Sequence, residues 1–298
     1  MKKYLITGGL GFIGTNLSNF LSHKNKIIII DDKSNSSNKK ILNKKNIQIK
    51  ICKLQNLKKL NNIRGVFHLC AQSSAQKSME DISKSSVNNI LSSIKAFEIA
   101  KHNKCPIIFA SSSAVYGNIK IGNDKLNNTD LLSPYALDKY YLEKLSKIFF
   151  KIHQVSSVGM RLYNVYGPGQ KGQSEYSGVI SKFNSNFNKN KKTIIFGGKQ
   201  TRDFIHVIDV VKLSILLMKI ARQKKINEIF NIGTGKQISI MQLYKKIKDL
   251  KNKENKLIIQ KPKLGDPKIS KGTFSKINKY LKNNYEFISL DEGLRKLI

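Results

Sequence analysis

Gly8-Gly9-Leu10-Gly11-Phe12-Ile13-Gly14 lies between a short apolar run, Lys3–Thr7, and an amphipathic stretch, Phe12–Leu21. Few sequence features restrict a fold so tightly. Glycine allows a tight reversal, lets the backbone come close to a ligand, and lets a helix pack closely against the strand before it. A helix that starts on such a turn points its unpaired amides and the positive end of its dipole into the turn. Gly8, Gly11 and Gly14 therefore suit a strand–turn–helix unit that holds an anion.

Further along the chain, β-rich runs alternate with helical patterns. Strands are expected at Lys3–Thr7, Ile27–Ile30, Ile47–Ile51, Val66–Cys70, Ile107–Ala110 and Val155–Leu162, and helices at Phe12–Leu21, Ser86–Lys101 and Tyr135–Lys151. This alternation implies crossover units, a parallel sheet and the α/β class, doubly wound. Ile27–Ile30 is apolar throughout, as a strand covered on both faces should be. The expected organisation is a nucleotide-binding domain over 1–165, with about 200–235 returning to it. A smaller α/β lobe over 166–199 and 236–298 would bind substrate. Phe230–Gly233 reads as a late sheet strand, and Gly167–Gly172 as a loop.

Asp31 closes the second strand, seventeen residues after Gly14. A carboxylate there accepts hydrogen bonds from ribose hydroxyls and repels a 2′-phosphate, so the turn reads as a site for NAD rather than NADP. Tyr135 and Lys139, four residues apart at the start of a helix, share one face. A cation beside a phenol favours the phenolate and brings it toward neutral pH, where it can act as a general base. Ser111-Ser112-Ser113 directly follows a strand, at the sheet edge where open α/β folds bind ligands.

The 54 Lys and Arg against 19 Asp and Glu give a formal charge of +35. Only five of the bases are Arg, the residue best suited to bidentate recognition of phosphates and bases. The lysines are spread along the whole chain among many Asn and Ile, so the charge reads as compositional and no specific nucleic acid is expected. Cys52, Cys70 and Cys105 have no metal-ligand spacing, and no metal is expected. The longest apolar runs are too short to span a membrane, and the apolar stretch after Lys2-Lys3 is too short for a signal peptide. A cytoplasmic protein is the expectation.

With these residues in place, the chain resembles the NAD-dependent epimerase/dehydratase family of extended short-chain dehydrogenases/reductases, nearest the UDP-glucose and UDP-N-acetylglucosamine 4-epimerases. The matching segments are Thr7–Gly14, Ile30-Asp31-Asp32, Val66–Ala71, Asn88, Ser111–Gly117, Tyr135–Lys139, Arg161–Pro168, Thr201–Asp209, Asn231–Gly235 and Gly265–Pro267. The resemblance implies NAD contacts from Gly8, Gly11, Phe12, Ile13, Gly14, Asp31, Asp32, Leu69, Ala71, Asn88, Ser111, Tyr135, Lys139 and Tyr163. It implies Ser112 as the catalytic hydroxyl, Tyr135 as the acid/base and Lys139 as their partner. Asn164 would touch the sugar nucleotide, while Arg202 and Lys263 would hold its diphosphate. For Arg202 the plain alternative is an ion pair with Asp203. A homodimer built on Ser86–Lys101 and Tyr135–Lys151 is also implied, as is a place in polysaccharide biosynthesis.

The resemblance also narrows the reaction. Dehydratases of the family carry Asp-Glu where this chain has Ser113 and Ala114, and decarboxylases usually keep the Glu. Neither water elimination nor decarboxylation is therefore expected. Family members with Tyr at position 270 take plain hexoses, so Ser270 points to room for an N-acetyl group. The chain departs from the family at Lys53, where an acid near the adenine is usual, at Lys263, where Arg is usual, and at Cys70, where Ala is common. The rival readings are a sugar-nucleotide oxidoreductase on the same fold, a non-catalytic dinucleotide sensor and a basic nucleic-acid binder.

Overall fold

The computed structural model describes residues 1–298 apart from 35–44, 127, 171–177, 263–265 and 282–284. Lys263, Gly265 and part of the 167–172 stretch thus lie outside the described residues. The strands are β1 (Lys2–Thr7), β2 (Asn25–Asp31), β3 (Ile47–Ile51), β4 (Val66–His68), β5 (Ile107–Ser112), β6 (Ser157–Leu162), β7 (Asn164–Tyr166), β8 (Thr193–Phe196), β9 (Thr201–His206), β10 (Asn227–Ile232), β11 (Gln237–Ser239) and β12 (Leu257–Gln260). The helices are α1 (Phe12–Ser22), α2 (Ala75–Glu80), α3 (Ile82–His102), α4 (Pro134–His153), α5 (Val179–Asn188), α6 (Val207–Gln223), α7 (Ile240–Lys251), α8 (Ser275–Leu281) and α9 (Leu290–Leu297).

The chain forms two compact units. The first comprises Met1–Ser112, Ser133–Arg161 and Val210–Phe230. It is built on a seven-stranded sheet of order β10-β6-β5-β4-β1-β2-β3, in which the pairings of β1, β2, β3, β4 and β5 are parallel. The order reverses between β1 and β4, which makes the crevice past their carboxyl ends the switch point where such sheets bind ligands. Ile27 to Ile30 are each at most 5 % exposed, as expected of a strand covered on both faces. On one face, Leu5, Ile28 and Ile30 pack with Phe97 of α3 and Leu142 of α4 around Phe109. Two caps set the ligand-side helices. Asp81 accepts the Lys84 amide at the start of α3, and Ser133 accepts the Ala136 amide at the start of α4.

The second unit comprises Ser113–Leu132, Leu162–Asp209 and Asn231–Ile298. It contains a three-stranded sheet β11-β9-β7 and the parallel pair β12-β8. Its core is aromatic, with Tyr166, Phe183, Phe187 and Phe204 packed on Leu243, Ile247 and Leu294.

The unit borders differ from those expected of the sequence at 113–132, 162–165, 200–209 and 231–235, which fall in the second unit. For 113–132 the cause is a hub at Asn231. Its amide N–H donates to Asp124 (2.8 Å), its side chain accepts from the Tyr116 hydroxyl (2.8 Å), and its Nδ2 donates to the carbonyls of Gly122 and Thr273. Such long-range bonds leave no trace in local pattern.

Candidate active site

The glycine turn takes a tight form with a residue in the left-handed conformation, which glycine adopts without strain. Gly8 has φ +68°, and its N–H donates to the Ile30 carbonyl at 2.8 Å. A Cβ on Gly8 would lie 2.7 Å from the Cys70 backbone, and one on Gly14 only 2.1 Å from the Gly8 carbonyl oxygen. The second contact is the close helix-on-strand packing that admits only glycine. Gly11 caps α1 without any side-chain hydrogen bond, and no acid lies in the helix's first turn. The amides of the half-buried Phe12 and Ile13 therefore open a helix suited to an anion.

Asp31 is 8 % exposed and does two things at once. One carboxylate oxygen accepts the Leu10 amide of the glycine turn (3.0 Å), and the other accepts the Lys33 amide (2.8 Å). Burial raises its pKa above the ordinary carboxylate value, and these two bonds work against the rise. Asp32, by contrast, is exposed, and its Oδ1 accepts from the amide and hydroxyl of Ser34. Lys53 is exposed as well.

At the next strand end, the Thr7 hydroxyl ties β1 to β4. It bonds His68 Nδ1 (2.9 Å) and accepts the Leu69 amide (3.2 Å). Burial depresses His68 to about 3, with the Lys139 charge adding to the effect, so the imidazole is neutral and structural. Leu69 and Ala71 follow this strand half-buried. Asn88 is half-buried, its Nδ2 donating to Lys84 O on its own helix. The neighbouring Asn89 is the buried one. Its Oδ1 accepts the Gln72 amide (2.8 Å), and its Nδ2 donates to Asp138 (2.8 Å), which links the loop after β4 to α4.

Ser112 ends β5, and its side chain is hydrogen-bonded to Tyr135 in the first turn of α4. The Tyr135 amide donates to Ser78 Oγ of α2 (3.1 Å), a short helix that local pattern did not reveal. Burial raises the Tyr135 phenol above its ordinary value, the Ser112 bond lowers it, and the nearby Asp138 charge raises it further. Lys139 is not among the groups that shift this phenol. Lys139 Nζ donates to the Ala110 carbonyl (2.8 Å) and lies 5.7 Å from the Tyr135 ring centroid. Burial itself lowers Lys139 to about 8.

One turn beyond Lys139 stands Glu143, which motif reading missed. It is 5 % exposed and accepts from Arg161, 4 % exposed, at Nε (2.8 Å) and Nη2 (2.6 Å), one oxygen to each. The same carboxylate accepts the Ser111 hydroxyl at 2.5 Å. Ser111, expected at the cofactor, thus spends its hydroxyl bracing β5 from behind. The regular 135–139–143 spacing was the available signal, since it places all three on one helix face.

Within the second unit, Arg202 and Ser270 come together. Arg202 is 8 % exposed, ion-paired with Asp266, and donates to Thr201 O (2.8 Å). The Ser270 amide donates to that same carbonyl (3.2 Å). Asp203 is not the partner of Arg202. Alternation along β9 sends it to the opposite face, where it accepts from the Thr234 amide and hydroxyl and the Gly235 amide. Tyr163 is buried against Phe274, with ring centroids 5.4 Å apart, and Asn164 opens β7.

Comparison with known proteins gives the family. The profile of the NAD dependent epimerase/dehydratase family matches residues 4–233. A Methanocaldococcus jannaschii protein provisionally named UDP-glucose 4-epimerase is 35 % identical over 270 residues, covering 88 % of this chain and 87 % of its own. The solved UDP-N-acetylglucosamine 4-epimerase of Methanobrevibacter ruminantium, in complex with UDP-N-acetylmuramic acid, superposes with a TM-score of 0.92. It is 32 % identical, with 99 % of this chain and 96 % of that one covered. The UDP-glucose 4-epimerase of Thermotoga maritima, solved with UDP-glucose, gives 0.89 at 28 % identity, with coverage of 98 % and 96 %. With its glycine turn, its Ser112–Tyr135–Lys139 set and these matches over nearly the whole length, the chain belongs to the NAD-dependent epimerase/dehydratase family.

Proposed function

We propose that the protein epimerises a nucleotide-activated sugar, a UDP-hexose or UDP-N-acetylhexosamine, at C4. The observation that carries this reading is the Tyr135–Ser112 hydrogen bond at the carboxyl end of β5, one helical turn from Lys139. The glycine cradle and Asp31, which follow β1 and end β2, suit a dinucleotide at the carboxyl end of the same sheet. The absence of a carboxylate at Ser113 and Ala114 leaves a single acid/base and no group for eliminating water.

In this reading, Gly8, Gly11, Phe12, Ile13 and Gly14 receive the pyrophosphate of NAD and Asp31 its ribose. When bound, NAD would supply reversible hydride acceptance from C4. Tyr135 removes the proton of the 4-hydroxyl as C4 is oxidised, and returns it once the ketone has presented its other face. Ser112 holds that oxygen throughout. Lys139, fixed by Ala110 O, has further donors for a ribose hydroxyl. Arg202 and Lys263 are assigned to the diphosphate and Asn164 to the sugar nucleotide.

The test is to incubate the pure protein with UDP-glucose and UDP-N-acetylglucosamine without added NAD and to follow the sugars by NMR. Interconversion of C4 stereoisomers with no net redox change is expected. Turnover of the N-acetylated sugar is also expected, because Ser270 leaves the space that a tyrosine would fill. Release of NADH with oxidised sugar would favour the oxidoreductase reading.

The proposed assembly is a homodimer through α3 and α4. Val87 and Leu91 on α3, and Ile148 and Ile152 on α4, form exposed apolar pairs at four-residue spacing, between 43 % and 68 % exposed. Light scattering should give about twice the 33.8 kDa chain mass. Ile148→Lys with Ile152→Lys should give monomers, and a monomeric wild type would refute the assembly. Three free cysteines suit the proposed cytoplasmic location, and no described helix is long and apolar enough to cross a membrane.

A further inference from the structure

The amino ends of β1, β2 and β4, together with the last turns of α6, enclose a groove of about 1260 Å³ at the edge of the first unit opposite the glycine turn. Its wall carries Lys2, Lys3, Lys24, Lys26, Arg64, Lys219 and Arg222. Lys and Arg are 54 of the chain's 298 residues but 7 of the 16 lining this groove, and no Asp or Glu lines it. Two of the chain's five arginines are here. The floor is made by Tyr4, Phe67 and Met218, all at most 7 % exposed.

Lys24 and Lys26 follow the carboxyl end of α1, and Lys219 and Arg222 lie near that of α6, where cations answer the helix dipole. Lys2, Lys3 and Arg64 have no such role, since they lie on β1 and in the loop before β4. Among the described residues none of the seven is in an ion pair. Arg222 donates only to the Tyr4 hydroxyl at 3.4 Å. Like charges around a concavity repel one another, and the field they focus attracts a concentrated anion.

We propose that this groove binds a chain of linked phosphates, either a free oligophosphate or the triphosphate of a nucleotide. Five of the seven cations are lysines, compact point charges that accommodate a flexible phosphate chain without fixed bidentate geometry. The cations come from four separate segments, and a linked chain of phosphates offers charge to more of them than one phosphate does.

The experiment is calorimetric titration of the full chain with sodium tripolyphosphate, with NAD and UDP present to fill the diphosphate sites of the proposed reaction. One further site per chain is expected, at least about tenfold tighter than for orthophosphate. Arg64→Gln, Lys219→Gln and Arg222→Gln combined should weaken it by about tenfold or more. Lys189→Gln, Lys192→Gln and Lys253→Gln combined remove the same charge from exposed positions elsewhere and should change it by about twofold or less. Circular dichroism confirms that both variants fold. ATP added in place of tripolyphosphate separates the sources: equal affinity means that the phosphate chain suffices, and tighter binding means that a nucleoside is also held. Equal weakening by the two triple variants, the absence of a saturable site, or a variant effect seen only with an oligonucleotide would overturn the proposal. None of these readouts depends on epimerase turnover.

Discussion

Tyr135→Phe is expected to lower turnover by roughly 10²–10⁴-fold, the usual contribution of a positioned general acid/base. The phenol hydrogen-bonds the Ser112 side chain and sits in the first turn of α4, held there by the Ser78 hydroxyl on its amide. Phenylalanine keeps the ring and the packing, so the fold and substrate affinity should change little, and the loss should fall on kcat. Burial holds the phenol above its ordinary value. The base form is the phenolate, which grows as pH rises, so wild-type kcat/KM should climb toward alkaline pH. In the variant that rising limb should be missing. Turnover within about tenfold of wild type, or an unchanged pH limb, would remove Tyr135 from the chemistry.

The largest stability effect is expected at Glu143. Its carboxylate holds the Arg161 guanidinium at two points and accepts the Ser111 hydroxyl, all three being buried. Glu143→Leu leaves a buried guanidinium without a counter-charge, a change that costs about 3–5 kcal/mol. In urea the unfolding midpoint should fall with little change in slope. Removing both charges, Glu143→Leu with Arg161→Met, should recover most of the loss, because an apolar pair of similar volume fills the same space. A double variant no more stable than the single one would mean that the brace acts through something other than paired charge. Since Ser111 precedes Ser112 on β5, slower turnover should accompany the single variant even where it is folded.

The first unit was legible because its determinants are local. The glycine turn and the apolar Ile27–Ile30 run each act within a few residues, and strands β1 to β6 fall within two residues of their expected bounds. What escaped depends on helical phase or on partners far away in the chain. Asn88 and Asn89 look equivalent in a string of letters. On α3, however, Asn89 lies on the buried face with Ser85, Ser92, Ser93 and Ala96, a face too polar to stand out as apolar periodicity. Lys139 sits on the expected helix face, yet the Ala110 carbonyl captures its ammonium. Such competition from a backbone acceptor cannot be read from spacing. Asp266 lies 64 residues from Arg202, whereas the nearer Asp203 is turned away by strand alternation.

Asp31 carries a lesson for coenzyme engineering. The same carboxylate that would discriminate between NAD and its 2′-phosphorylated form also fastens the Leu10 amide and so holds the glycine turn in shape. Selectivity and scaffold share one side chain. A switch to the phosphorylated coenzyme made by placing a small or cationic residue at this position would free a loop amide while adding the new contact. A successful redesign must therefore supply a substitute acceptor for Leu10, so coenzyme preference in this chain is a property of the β1–α1 loop as a whole.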